Sequence, residues 1–503
     1  MLKWIQVLLY IIVVSAIFYF IYALLEGRIV AAFSIFISIS AILIVFTIFI
    51  ENRDPSVTLN WILVFALFPV LGFFFYLTFG RNYYKKKRYR KKQERDKEAF
   101  NQLEENRHVY IHGIRQLGEH QNLLFRLAHE VSDFPISFNT ETEVLTNGKE
   151  KFPKMLEALK SAEHHIHLQY YIVRDDDIGT KIKNILIDKA QKGLEVRFLY
   201  DAVGSWQLPN YFIKELTDAG VKMVPFAPIK LPSFGNRINF RNHRKIVVVD
   251  GKVGFVGGLN IGDEYLGKDE FYGNWRDTHL FVRGEAVRHL QMIFLQDWKY
   301  ETGEELSDSV YLSPELIETD EIGGVHMVAG GPDNQWETIK KLYFSMITSA
   351  KKSIWIASPY FIPDDDILTA MKVASLSGVD VRLLMPQRPD KKIVFYASRS
   401  YYPELMEAGV KIYEYKEGFM HSKIVIVDSE LASIGTSNMD MRSFHLNFEV
   451  NAFLFRTKST KKLVKDFEND IKYSDEINED EFMKRSIFIR VIESLFRLLS
   501  PLL

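Results

Sequence analysis

Two short polar motifs in this chain hold the residue types that exchange at a phosphate ester requires. The first is His243-Arg244-Lys245, a four-residue apolar run and Asp250, with Gly257, Gly258 and Asn260 downstream. The second is His421-Ser422-Lys423, a matching apolar run and Asp428, followed by Gly435, Thr436, Ser437 and Asn438. Both read His-x-Lys-x4-Asp, with Gly seven and Asn ten positions after the Asp. At this composition the His–basic–acidic skeleton alone is expected about 0.2 times by chance. Two full copies are signal.

The chemistry follows from the side chains. One imidazole attacks phosphorus and forms a phosphohistidine; the other protonates the departing alcohol and then deprotonates the incoming one. An ordinary imidazole pKa near 6.5 suits both roles at neutral pH. Lys245 and Lys423 supply the positive charge that a tetrahedral phosphate needs in a partly dehydrated pocket, so neither metal nor cofactor is expected. Asn260 and Asn438 add amide donors, with Ser437 beside them, as candidate substrate-binding groups. Asp277, in Trp275-Arg276-Asp277, and Glu449, in Asn447-Phe448-Glu449, are the candidate carboxylates to orient the imidazoles and fix their tautomer. Asp250 stands at the opposite strand parity from His243, and Asp250-Gly251 has the composition of a hairpin turn. That reading favours a structural role for Asp250 and Asp428.

These groups need elements to hold them. Ile246 to Val249 is β-branched and reads as a buried strand, on which His243 and Lys245, two apart, share a face. His421 and Lys423 do the same. The surroundings of the motifs are duplicated too. A helix end and strand around Ser161 to Ile172 recur at Ala350 to Ile356, and Gly193 and Gly220 recur at Gly378 and Gly409, offsets of 185 and 189. The pattern predicts two copies of one α/β domain, each a mixed or parallel sheet covered by helices on both faces. If the copies pack face to face, two imidazoles and two ammonium groups meet around one phosphodiester.

Composition restricts the partners. The chain has 503 residues, a formal net charge of −1 and no cysteine, which excludes disulfides and thiolate chemistry and gives no global field for nucleic acid. The apolar residues are unevenly spread. Runs at Trp4–Leu25, Ile29–Ile50 and Val57–Phe79 each exceed 20 residues, enough to cross a bilayer, and predict two or three spans. The basic stretch Arg81 to Lys92 then predicts a cytoplasmic location for everything after it, and fits equally a seat for anionic lipid or a stop-transfer flank with no lipid specificity.

Three other features read differently. His164, His165 and His167 are expected to be sheet histidines rather than metal ligands. Asp175-Asp176-Asp177 and Asp364-Asp365-Asp366 look like helix N-caps. The tail from Arg485 to Leu503 alternates apolar and charged residues at helical spacing, fitting either an interfacial helix or plain docking on the core.

The paired motifs resemble those of the phospholipase D superfamily. From about residue 30 onward the chain is similar to the bacterial cardiolipin synthases within it. Supporting segments are Glu51-Asn52-Arg53-Asp54-Pro55, Phe79-Gly80-Arg81-Asn82, Gly262 to Gly267, Ser358 to Pro363 and the Leu498 to Pro501 ending. The resemblance implies duplicated phospholipase D-like domains (131–312 and 313–484) after transmembrane helices (1–80) and a basic linker (81–130), with an amphipathic tail (485–503). It implies catalytic positions at His243, Lys245, Asp250, His421, Lys423 and Asp428, with His243 as the nucleophile. It also implies phosphatidylglycerol and other anionic phospholipids as partners, a place in the bacterial cytoplasmic membrane, and transfer of a phosphatidyl group from one phosphatidylglycerol to another with release of glycerol. Hydrolysis by the same histidines is the nearest alternative; a nuclease or a non-catalytic lipid-binding scaffold fits the spans and the two intact motifs less well.

Overall fold

A computed structural model describes Tyr19 and residues 28–50, 55–76, 119–228 and 239–503, short of positions 133, 307, 314, 316, 320–322, 335 and 336. These residues fall into two bodies, one within 1–82 and one within 83–503.

In the first body, helix α1 spans Arg28–Ile50, charge-free after its first residue. Its Ala31–Ile50 stretch is the one helix among the described residues long and apolar enough to cross a membrane. The expected span at Val57–Phe79 is not one continuous helix in its described part. Helix α2 (Pro55–Leu67) stops at Phe68, and α3 (Pro69–Phe75) begins there. Pro69 is the cause, because a proline ring disfavours the helical conformation of the residue before it. Thirteen residues of α2 rise only about 20 Å, less than the hydrocarbon core. The expected span at Trp4–Leu25 and the basic stretch Arg81 to Lys92 lie outside the described residues.

The second body is built on two mixed sheets. The first contains β1 (Thr140–Thr146), β2 (His165–Tyr170), β3 (Glu195–Asp201), β4 (Lys222–Phe226), β5 (Ile246–Val249), β6 (Val253–Gly257) and β8 (Thr278–Gly284), in the order β1-β8-β6-β5-β2-β3-β4. Short strand β7 (Asn274–Arg276) stands apart from it. The second sheet contains β9 (Gly324–Gly330), β10 (Ser353–Ala357), β12 (Asp380–Pro386), β13 (Lys411–Tyr415), β15 (Ile424–Val427), β16 (Leu431–Gly435), β18 (Glu449–Phe455) and β19 (Ser474–Glu476), ordered β19-β13-β12-β10-β15-β16-β18-β9. Strand β11 (Phe361–Ile362) pairs with β17 (Met439–Asp440), and β14 (Gly418–Met420) pairs with β7.

The duplication is visible strand by strand. β2, β3 and β4 run parallel, as β10, β12 and β13 do. In each copy the motif strand, β5 or β15, joins antiparallel to the first of these and to its own hairpin partner. Alternation along the motif strands divides the core. Val247 and Val249 pack with the helices of the first copy, and Val425 and Val427 with those of the second. Ile246, Val248, Ile424 and Ile426 share one apolar cluster between the copies. Each sheet is covered on both faces, but one cover is largely the other sheet. Fully burying each such side chain contributes about 1.5–3 kcal/mol, so the shared cluster binds the halves into one body.

Candidate active site

The histidines precede the motif strands rather than lie in them. β5 starts at Ile246 and β15 at Ile424, so His243 and His421 occupy extended lead-ins. Each lead-in is held by the other copy. Asn242 bridges in parallel to Phe448; Phe448 N donates to Arg241 O and His243 N to Phe448 O, both at 2.9 Å. On the other side β14 runs parallel to β7, and His421 N donates to Arg276 O at 2.7 Å.

This crossing decides which carboxylate each imidazole meets. His243 Nδ1 lies 3.0 and 2.9 Å from the two carboxylate oxygens of Glu449, while His421 Nδ1 lies 2.6 Å from Asp277 Oδ2. The orienting acid of each histidine belongs to the opposite copy. Both acids are buried, and both stay below the ordinary carboxylate range despite burial, Glu449 through His243 and Asp277 through Lys423 and His421. Asn447 Nδ2 also donates to Glu449 Oε1 at 3.1 Å, and Thr278 N to Asp277 Oδ1 at 2.7 Å. A Cβ at Gly258 would stand 2.1 Å from Asp277 Oδ1, so the motif glycines leave room for the acid.

Burial pushes the His243 imidazole down to about 4, against the pull of Glu449. Burial and then Lys423 push His421 down to about 3. With Nδ1–H given to a carboxylate, each ring is neutral and carries its lone pair on Nε2. The lysines differ. Each Nζ donates to the carbonyl of its own motif histidine, Lys245 to His243 O at 2.7 Å and Lys423 to His421 O at 2.5 Å, and Lys423 Nζ lies in addition 2.9 and 3.1 Å from the two ring nitrogens of His421. Desolvation lowers Lys245 to about 7 and Lys423 to about 8. The field of Lys423 reaches His243 and that of Lys245 reaches His421, so the four groups from both copies lie within electrostatic reach of one another. An anionic phosphodiester entering among them would raise all four pKa values and recharge the lysines.

Other expected residues stand elsewhere. Asp250 and Asp428 lie at the far ends of β5 and β15. Asp250 accepts from the backbone N–H of Glu163, His164 and His165, each at 2.8 Å; Asp428 does the same for Lys351, Lys352 and Ser353 at 2.7–2.9 Å. These carboxylates are not in contact with the histidines; they pin the start of the neighbouring strand. Asp250 and Gly251 take φ of 54° and 67°, as a primed hairpin turn requires. Asn260 is held in the scaffold, accepting from Ile172 N and donating to Tyr265 Oη at 3.1 Å each. Ser437 Oγ donates to Asn438 O at 3.2 Å, and Asn438 is buried.

The caps divide. Asp176 caps its helix through Gly179 N at 3.0 Å. Asp364 occupies the cap position without a capping bond, because Lys340 and His445 take its carboxylate. His165 and His167 are buried in β2, both bonded to Gln291.

A family profile described as cardiolipin synthase, PLD-like domain, matches residues 155–298 and 343–471; a second, phospholipase D-nuclease N-terminal, matches 36–81. A cardiolipin synthase of Alkalihalophilus pseudofirmus is 63% identical over 95% of both chains. One of Halalkalibacterium halodurans is 61% identical over 99% of both. This chain belongs to the phospholipase D-like cardiolipin synthase family. A crystal structure of Haemophilus influenzae phosphatidylserine synthase shares the fold at a TM-score of 0.55 and 14% identity, covering 76% of this chain and 100% of that one.

The family's motif letters do not include every residue that shapes this pocket. Tyr171 meets the His243 ring edge-on, at a centroid distance of 5.0 Å, and lies beneath Lys245 Nζ at 5.5 Å. Trp275 stands 5.0 Å from the His421 ring. Arg244, inside the first motif, pairs with Asp297 at 2.5 Å and donates to Glu449 O at 3.0 Å and Gly330 O at 3.1 Å, fastening the strand that carries Glu449. Arg276 holds Asp470 of the other copy at 2.7 Å. Trp275 and Arg276 immediately precede Asp277 in sequence, and that adjacency was the available signal. Tyr171 carried none.

Proposed function

We propose that the protein transfers the phosphatidyl group of one phosphatidylglycerol to a hydroxyl of a second, producing cardiolipin and glycerol. The observation carrying this reading is the crosswise pair, His243 on Glu449 and His421 on Asp277, with Lys245 and Lys423 between. His243 Nε2 attacks phosphorus while the P–O bond to glycerol breaks and the leaving oxygen takes a proton from His421. Substrate-raised basicity is what lets His421 carry that proton. The second phosphatidylglycerol then gives its hydroxyl proton to His421 and attacks phosphorus, and the P–N bond to His243 breaks. The two lysines, with Asn438 and Ser437, hold the phosphate oxygens. Two features favour His243 as nucleophile: its Nε2 has no hydrogen-bond partner among the described residues, and Lys245 bonds its backbone carbonyl, whereas Lys423 bonds the equivalent carbonyl and also crowds the ring of His421.

The enzyme sits in the bacterial membrane as a multi-pass protein, crossing through α1 and through α2–α3 kinked at Phe68, with the catalytic body on the cytoplasmic side. Phe68 N still donates to Val64 O at 2.9 Å, so the helical bond that Pro69 removes is the one Phe65 O would have accepted.

Purified protein given headgroup-labelled and acyl-labelled phosphatidylglycerol in detergent micelles is expected to release glycerol and form cardiolipin in equal amounts. Phosphatidic acid as the main product would replace transfer by hydrolysis.

A further inference from the structure

The tail after Arg485 forms a helix, Ile487–Arg497, with two unlike faces. The inner face is fastened. Phe496 stacks on Tyr396 with centroids 6.2 Å apart, and buried Glu493 receives Arg485 at 2.8 Å. Arg497 donates to Ser400 O at 3.2 Å and to Glu404 at 2.7 Å, and the Tyr401 hydroxyl meets Ser500 Oγ at 2.9 Å. The outer face is bare. Ile487, Phe488, Val491, Leu495 and Leu498 are 58–78% exposed and form one stripe at helical spacing. Core docking explains the first face and leaves the second without a partner among the described residues.

Charge says what covers it. From Lys484 to Leu503 the chain has basic residues at Lys484, Arg485, Arg490 and Arg497 and one acid, Glu493, which is turned inward. Arg485 and Arg497 are paired with Glu493 and Glu404, which leaves exposed Lys484 and Arg490 beside an apolar stripe whose own acid is hidden, and that arrangement suits an anionic lipid surface. The helix is also tied to the catalytic body near the pocket. Arg442, four residues after Asn438, donates its N–H to Leu503 O at 2.9 Å and its guanidinium to Asn239 O at 2.9 Å. Its charge reaches Tyr171, beside His243.

We infer that this helix rests its outer stripe in the surface of a phospholipid bilayer containing anionic lipid, and so holds the edge of the catalytic pocket where its substrate lies. The inference rests on the lipid substrate proposed above.

The chain lacks cysteine, so a single introduced thiol is labelled uniquely. The full-length Leu495→Cys protein, labelled with an environment-sensitive fluorophore, is reconstituted into vesicles of phosphatidylglycerol and phosphatidylcholine. Blue-shifted emission is expected, falling by about half when the vesicle lipids carry brominated acyl chains. A label on Lys472→Cys, exposed and off the stripe, should not respond. Water-like, unquenched emission at position 495 overturns the inference. So does emission shielded but unquenched, which would mean that protein, a second copy included, covers the stripe. Cardiolipin made by a protein whose label stays in water would remove the membrane seat and leave the proposed reaction standing.

Discussion

The two motif histidines share a sequence pattern and a fold position, yet their surroundings differ. His243 faces both oxygens of Glu449, has Tyr171 at its ring edge, and has a lysine bonded to its backbone carbonyl. His421 faces one oxygen of Asp277, packs against both Trp275 and Phe419, and has a lysine bonded to its carbonyl and set against both ring nitrogens. Duplication supplied two equal imidazoles, and the divergence of their neighbours is what the proposed split between nucleophile and proton carrier rests on. The carboxylates show the opposite lesson. Because each belongs to the other copy, neither half holds a complete histidine–acid pair.

The comparison breaks most sharply at the histidines. His243→Ala should lose turnover by about 10⁴-fold and form no covalent lipid–enzyme adduct. His421→Ala should be as slow in turnover but still accumulate an adduct when given a substrate with a good leaving group. An adduct surviving in the His243 variant instead would exchange the two roles.

Removing charge from the acids sharpens it further. Glu449→Gln and Asp277→Asn should each cost about 10²-fold in kcat, by loosening the tautomer rather than removing the reacting atom. Single-turnover kinetics with a good-leaving-group substrate, which needs no proton from His421 to form the adduct, separate them: the Glu449 variant slows adduct formation, and the Asp277 variant slows breakdown by alcohol. Equal effects on both steps in both variants would dissolve the asymmetry.

Smallest is the pH response. The nucleophile must be neutral, and its folded pKa is lowered to about 4, so kcat/KM should hold as pH falls through 6.5 and fail only nearer 4. On the alkaline side Lys245 and then Lys423 lose their protons through about 7 and 8, so KM for phosphatidylglycerol should rise across that window. An acid limb centred on 6.5 would show that His243 is not desolvated in the free enzyme.

Much of this was legible in the residues. β-branched runs marked β5 and β15, glycine offsets marked the repeat, and Asp277 and Glu449 stood out as strand carboxylates near each motif. Their crosswise pairing was not legible, because two-residue periodicity reports which face a side chain takes and not which chain segment lies opposite. The His–Lys spacing suggested strand residues, whereas both pairs sit in lead-ins whose partners come from the other copy. Pro69 inside the third apolar run announced the break at Phe68, but hydropathy averaged over the run conceals a single missing N–H. Asp364 had the position of a cap and lost the bond to stronger cationic partners.

One feature changes how variants of such motifs should be interpreted. The acid that completes each His-x-Lys-x4-Asp pattern works as a rivet, with one carboxylate clasping three amides at the root of the adjacent strand. Replacing Asp250 or Asp428 by alanine would silence the enzyme in an assay as surely as removing a histidine. The reason would lie in the melting curve: heat would find that defect before any lipid did.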